Sequence, residues 1–323
     1  HLEPEDLLEP LFDYYKKCYP TLLHQLDDVI LGNTVGNGGN IARKSLLEAG
    51  LNESIPGLTI DRQCGSGLES VIYACRMIQS GAGNVYLAGG VESTSRAPWK
   101  IKKPQSLYEQ HIPQFYERAS FAPDGQDPSM IEAAENVATE YQISRKEQDD
   151  YAYQSHRRTY INYKKNLITQ EIIPIQVKGN EFDCDESIKP NLTINKLSRF
   201  KPLLPNGTVT VGNCCMKNDG AALILIIEEE CAKQYGFKEG LEFKGAKNKG
   251  VNPNLLGIGP IPSVEALLDR HYLKIDDIDA IELNEAFSSQ VLACQKELKI
   301  PFNKLNKWGG AIASGHPYGA SGA

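Results

Sequence analysis

Residues 61–70 read D-R-Q-C-G-S-G-L-E-S, and a lone cysteine, Cys64, stands there between a charged tripeptide and two glycines. Just before it, G-L-T-I at 57–60 has the composition of a short strand. From Leu68 the apolar positions Leu68, Val71, Ile72, Cys75 and Ile78 keep the spacing of one helix face, and G-A-G at 81–83 leads into a second strand, V-Y-L-A at 85–88. Strand, helix and strand in that order predict a parallel sheet with crossover helices. Cys64 falls where the first strand gives way to the helix. Unpaired N–H groups and the positive end of the helix dipole there favour a thiolate over a thiol. Gly65 and Gly67 permit a tight turn and close approach of a substrate, and the same N–H groups suit an oxyanion. A buried structural cysteine in a glycine-rich turn is the competing reading.

A weak internal repeat favours the chemical one. L-D-D-V-I-L-G-N (26–33) and I-D-D-I-D-A-I-E-L-N (275–284) both read as acid-led strands ending in asparagine. Cys64 lies 31 positions after Asn33, and His316 lies 32 after Asn284. His316 belongs to N-K-W-G-G-A-I-A-S-G-H-P-Y-G-A-S-G-A (306–323), a strand-like run that breaks into glycines. Two similar halves would bring both turns to one cleft, with His316 as a general base for Cys64. Asn284 and Glu285 would stand at the mouth of the second sheet, where polar ligand contacts collect; Asn284 could donate through its amide, orient a water, or cap a helix beginning at Ala286.

Residues 94–216 do not repeat, so they read as an inserted lobe, with a capping box at Ser144 and Glu147. A strand at 221–227 would return the chain to the core, and 263–270 would be the next crossover helix. The expected divisions are 1–93 continued by 217–235, then 94–216, then 236–323. The repeat implies a strand before His1 and a helix and strand after Ala323, so both termini are expected to be truncated.

Composition narrows the function. At 323 residues, with 41% hydrophobic and 23% charged residues, the chain is an ordinary globular protein. It carries no membrane-length apolar run. A net charge of -7 argues against nucleic-acid binding. Eight cysteines without a framework of spacings suggest reduced thiols and a cytoplasmic protein, and Cys214-Cys215 lacks the C-x-x-C and histidine partners of a zinc site. Lys100, Lys102 and Lys103 read as solvated surface, as does His156 in a charged helix.

The chain resembles the thiolases, the acyl-CoA:acetyl-CoA acyltransferases, from about residue 26 to its end. The matching pieces are D-R-Q-C-G-S-G-L-E-S, G-G-V-E-S-T-S-R-A-P (89–98), A-E-N-V-A (134–138), G-T-V-T-V-G-N with N-D-G-A-A (207–222), G-I-G-P-I-P (257–262), N-E-A-F (284–287) and G-G-A-I-A-S-G-H-P-Y-G-A-S-G-A (309–323). The resemblance implies an α/β fold of two layered, pseudo-repeated halves (αβαβα) with an inserted loop domain that binds coenzyme A and forms tetramer contacts. It implies Cys64 as the acyl-carrying nucleophile, His316 as its base and part of an oxyanion hole, and Asn284 holding a water there. Met130, Cys215, Leu256 and Arg199 would contact the acyl-CoA. No permanently bound cofactor or metal is expected; coenzyme A and acetyl-CoA are substrates, and the protein is expected to be a homodimer or homotetramer.

Three departures accompany the match. The family's second cysteine falls beyond Ala323. Cys215 replaces a usual serine, and Ser129 stands where short-chain members often have histidine. A thiolase-fold acyl-CoA-binding protein without complete turnover is therefore the alternative expectation. A decarboxylating ketosynthase fits poorly, because those enzymes place their histidines in other motifs.

Overall fold

The computed structural model describes residues 2–323 except 105, 107, 109–111 and 117. Its first half is built on β1 (Asp28–Gly32), whose D-V-I-L-G is buried on both faces. Val29 and Leu31 face Leu8 and Phe12 of α1 (Pro4–Cys18), Leu22 of α2 (Pro20–Leu23) and Leu46 of α3 (Ile41–Glu48). Ile30 points the other way, toward Ala74 of the helix that follows Cys64. This period of two explains why the strand reads as a continuous apolar run.

β1 pairs in parallel with β2 (Gly57–Ile60) and with β3 (Val85–Glu92), and α4 (Ser66–Gln79) crosses between those two partners. The expected β-α-β unit around Cys64 is therefore present, with β3 running on to Glu92. Next come α5 (Met130–Glu140), α6 (Arg145–Lys164), a hairpin of β4 (Ile175–Val177) and β5 (Asn180–Phe182), and a single turn, α7 (Ile194–Leu197). Ser144 caps α6 with Glu147 as predicted. His156, expected at the surface, is buried on α6, where its Nδ1 accepts from the Lys189 N–H at 3.3 Å and burial pulls its pKa down to about 4. The charged flanking residues hid that inward-facing position.

β6 (Gly220–Ile227) pairs antiparallel with β3, so the sheet order is β2-β1-β3-β6. Its pairing makes β6 an edge of the first half's sheet. α8 (Glu229–Gln234), α9 (Pro260–His271), α10 (Ser288–Glu297) and α11 (Ala311–Ser314) follow. The core of the second half joins Val291 and Cys294 of α10 to Tyr151 of α6, Leu197 of α7, Leu305 and Ile312. The helical part of the 94–216 segment thus shares that core.

Two local predictions differ. The run 275–284 forms a 3-10 turn at Ile275–Asp277 and a single parallel bridge between Ile281 and Leu305, not a strand. Its ladder stops because the Asn306 side chain takes the place of backbone: Oδ1 accepts from Leu283 N at 2.8 Å and Nδ2 donates to Leu283 O at 2.9 Å. Likewise A-I-A-S, read as strand-like, is the helical turn α11.

Candidate active site

The turn before α4 is tied by its own side chains. Gln63 has φ 50, a left-handed conformation that costs a non-glycine residue energy. The Asp61 carboxylate compensates by accepting from Gln63 N at 2.7 Å. Ser66 Oγ accepts from Arg62 N at 2.7 Å and donates to Gln63 O at 2.6 Å. Cys64 rides on this small knot, with Gly65 as the N-cap, so the cysteine stands just outside the helix and not in its first turn. It is open to solvent.

His316 approaches from the other half. The loop after α11 packs directly onto the ends of β1 and β3 and the start of α4. A Cβ on Gly67 would come within 2.9 Å of the Ala320 carbonyl oxygen, and one on Gly90 would run into the Gly319 backbone. Glycine here serves close approach between two backbones. The glycine-rich turns of the two halves do meet, as the repeat suggested.

Segment 213–217 closes the seam between the second half's motifs. Asn213 O accepts from Ser288 N at 2.9 Å, Cys215 N donates to Ala286 O at 3.0 Å, and His316 N donates to Met216 O at 2.9 Å. Cys215 thus lies between N-E-A-F and G-H-P. Asn284 does not cap a helix at Ala286. The helix begins at Ser288 with Phe287 as its N-cap, and Asn284 Nδ2 lies 3.4 Å from His316 Nε2.

The hydrogen bonds fix the imidazole tautomer. Ser321 Oγ donates to Pro317 O at 2.9 Å, which leaves it to accept from His316 Nδ1, 2.6 Å away. Nδ1 then carries the proton, and Nε2 is a bare acceptor facing the Asn284 amide. The ring is buried and meets Tyr318 edge-on at 5.1 Å; burial pulls its pKa down to about 4.

The thiol differs from expectation. Burial pushes Cys64 up to about 11, and the Glu92 and Asp61 carboxylates add to that; the backbone hydrogen bond opposes them and loses. Although the cysteine is reachable by solvent, protein surrounds most of it at the cleft floor. The helix dipole was expected to lower this pKa, but nearby carboxylates and desolvation outweigh it. Cys215 is pushed up to about 12, first by burial and then by the charges of Cys214 and Cys64. Tyr318 is also raised, by burial and by Cys215, Cys64 and Glu92. Those mutual effects put Cys64, Cys215, Tyr318 and Glu92 in one neighbourhood.

The other candidates are more dispersed. Met130 is exposed at the first position of α5, Leu256 is part of a 3-10 segment (Pro253–Ile258), and Arg199 is exposed. That 3-10 segment adjoins α5, where Asn136 Nδ2 donates to Asn254 O at 3.1 Å. Among the described residues, no hydrogen bond or ion pair joins these three side chains to Cys64 or His316.

One buried carboxylate, Glu92, escaped the sequence reading, and a second, Glu285, expected at the sheet mouth among ligand contacts, is buried and bonded to protein instead. Glu92 accepts from Gly319 N at 3.0 Å, and Glu285 accepts from Ile312 N at 3.1 Å, so they grip the His316 loop from opposite halves. Glu285 also accepts from Tyr151 Oη (2.7 Å), Ser155 Oγ (2.6 Å) and Asn306 Nδ2 (2.9 Å). The signal for Glu92 was an acid closing an otherwise apolar strand. Among the described residues, no group of three or more His, Cys, Asp or Glu could hold a metal ion.

Residues 16–230 match the family described as thiolase, N-terminal domain, and residues 239–323 match thiolase, C-terminal domain. A Staphylococcus epidermidis protein, VraB, whose name gives acetyl-CoA C-acetyltransferase as a provisional activity, is 67% identical over all 323 residues, which span 85% of that relative. Its namesake from Staphylococcus aureus is 62% identical over the same share of each chain. The crystal structure of the Bacillus anthracis acetyl-CoA acetyltransferase superposes with a TM-score of 0.92 at 33% identity, covering 100% of this chain and 84% of that one. Human mitochondrial 3-ketoacyl-CoA thiolase in complex with CoA gives 0.92 at 32% identity, covering 99% and 83%.

Proposed function

The chain belongs to the thiolase family of acyltransferases, and from that premise we propose that it transfers acyl groups through a thioester on Cys64. The observation that carries the reading is the meeting of two loops, the Cys64 turn and a His316 whose unprotonated Nε2 faces Asn284. With acetyl-CoA, Sγ of Cys64 attacks the thioester carbon as its proton passes to His316 Nε2. The bond to the coenzyme sulfur breaks, and that sulfur takes the proton from His316. Before that proton leaves, the protonated Nε2 and a water held by Asn284 line one oxyanion hole, and the Cys64 N–H contributes to a second.

A high thiol pKa and a low imidazole pKa suit this order of events, since both groups rest neutral and charge appears only during attack. Cleavage of a 3-ketoacyl-CoA begins with Cys64 attacking the keto carbon; the carbon–carbon bond breaks, acetyl-CoA leaves with the thiol's proton ending on its α-carbon, and free coenzyme A then takes the acyl group from Cys64, while condensation of two acetyl-CoA molecules is the reverse. Met130, Leu256, Cys215 and Arg199 are proposed to contact the acyl-CoA, no resident cofactor is proposed, and the division at 94–216 is retained as the coenzyme-binding insertion. Among the described residues, no helix is long and apolar enough to cross a membrane. A cytoplasmic homodimer or homotetramer is proposed, and exposed Trp99, Ile101 and Phe115 on the insertion support subunit contacts there.

The test is mass spectrometry of the protein incubated with acetyl-CoA. Acetyl on Cys64, lost in Cys64→Ala together with turnover, is the expected result; an unlabelled Cys64 or undiminished turnover in the variant refutes it. Acylation without onward transfer to an acceptor would instead favour an acyl-CoA-binding protein of this fold.

A further inference from the structure

Glu92 closes β3, a strand buried along its length, and its own side chain is fully buried. An isolated carboxylate in such a place is costly. This one is saturated: Oε1 accepts from Asn33 Nδ2 at 3.0 Å and Val35 N at 3.1 Å, while Oε2 accepts from Thr34 N and Gly319 N, both at 3.0 Å. All four partners are N–H donors, so a proton on the carboxyl group would find no acceptor among them. Burial nevertheless holds its pKa above the usual carboxylate value, with Asp61 adding to the rise and the backbone donors opposing it.

Two of these links lead to the site. Gly319 follows His316 by three residues in the same loop. Thr34, held by its backbone N–H, donates its hydroxyl to Gln63 O at 3.3 Å, one residue before Cys64, and lies 3.4 Å from Ser66 Oγ of the same knot. We infer that Glu92 is a positioning residue for acyl transfer, fastening the Cys64 turn of one half to the His316 loop of the other. The inference rests on the reading of Cys64 as nucleophile and His316 as base. Glu285 secures the same loop upstream of His316, through Ile312 N. Glu92 differs in reaching both catalytic loops at once.

Glu92→Gln and Thr34→Val together separate positioning from charge. An amide in place of the carboxylate turns one acceptor into an NH2 facing two N–H donors, loosening either the Asn33/Val35 pair or the Thr34/Gly319 pair. It also removes a negative charge near Cys64, whose other charged or titratable neighbours are Asp61, Cys215 and Tyr318 and, in the functional reading, the neutral His316 ring. Acyl transfer by Glu92→Gln is expected to fall at least about tenfold, because misplacing a reacting group by an ångström can cost on the order of a hundredfold. Alkylation of Cys64 by iodoacetamide is expected to move the other way, its pH profile shifting to lower pH. A merely structural role would not make the thiol easier to ionise while slowing transfer.

Thr34→Val is the second variant. It cuts the link to Gln63 and leaves the carboxylate in place, so transfer should fall with the alkylation profile unchanged, and it decides the matter if Glu92→Gln does not fold. Wild-type protein that is alkylated but never acylated at Cys64 would overturn the functional reading, and this inference with it. Wild-type protein that is acylated, with both variants matching its transfer rate, would overturn the inference alone.

Discussion

Asn284 Nδ2 lies 3.4 Å from His316 Nε2, the unprotonated nitrogen of a buried neutral ring. The amide donates where the ring can only accept, so the pair is arranged for a charge that arises during reaction. Asn284→Ala should therefore lower kcat by about a hundredfold, the usual cost of a lost oxyanion donor, with KM little changed. Steady-state kinetics of acetyl transfer check this; a change confined to KM would assign Asn284 to substrate binding.

Ser321 sets the tautomer that makes this possible, by accepting from Nδ1 at 2.6 Å. Ser321→Ala should cut acyl transfer roughly tenfold, a fraction of the roughly 10²–10⁴-fold that a positioned base contributes. It should also alter the Nδ1 proton resonance of His316 in NMR spectra. An unchanged resonance would separate the serine from the ring.

The resting pair is neutral across ordinary pH, with Cys64 near about 11 and His316 near about 4. The enzymatic acylation rate should be flat from about pH 5 to pH 10, whereas alkylation of Cys64 by iodoacetamide should climb steadily toward pH 11 as thiolate forms. An inflection in both near neutrality would mean a preformed thiolate and imidazolium.

His156 and His316 both rest near pKa 4 because they are buried, against 6.5 for the ordinary side chain. Each folded-state pKa is depressed, so the unfolded chain binds more protons between those values and stability falls as pH drops from about 6.5 to about 4. The loss approaches roughly 3 kcal/mol for each histidine. Burial raises Glu282 to about 7, which acts in the opposite direction over this range, so the comparison is between variants: the denaturant midpoint of His156→Gln should fall less than that of the wild type between pH 7 and pH 4.

Gly67→Ala places a methyl 2.9 Å from the Ala320 carbonyl oxygen and 3.0 Å from that of Gly319, where only backbone can yield. A cost of about 1–3 kcal/mol in stability is expected, with a larger proportional loss of acyl transfer as the His316 loop is displaced. Equal activity in folded variant protein would show that the loop contact is dispensable.

The local unit around Cys64 was legible because strand and helix periods are strong signals, and the spacing from Asn284 to His316 was legible because it echoed Asn33 to Cys64. That the run 275–284 would not form its expected strand was not legible. Asn306 replaces ladder backbone with its side chain, an exchange no periodicity records. Nor could the thiol's environment be read from the turn alone. The dipole belongs to the local sequence, but the Glu92 carboxylate that opposes it arrives from the end of another strand, 28 residues on. His156 was misplaced for a related reason: it faces the core from a stretch whose charged residues do not mark that face, Arg157 being exposed and Arg158 half-buried against the Leu305 and Phe302 carbonyls.

The contact between Gly319 and Glu92 spans 227 residues of chain. A growing polypeptide would have formed its four-stranded sheet long before that loop emerged from the ribosome, leaving the floor of the site complete and its lid-side histidine unmade. Such a late, long-range closure ties the site to the order of synthesis: Cys64 is translated early and meets the His316 loop only when both halves have folded.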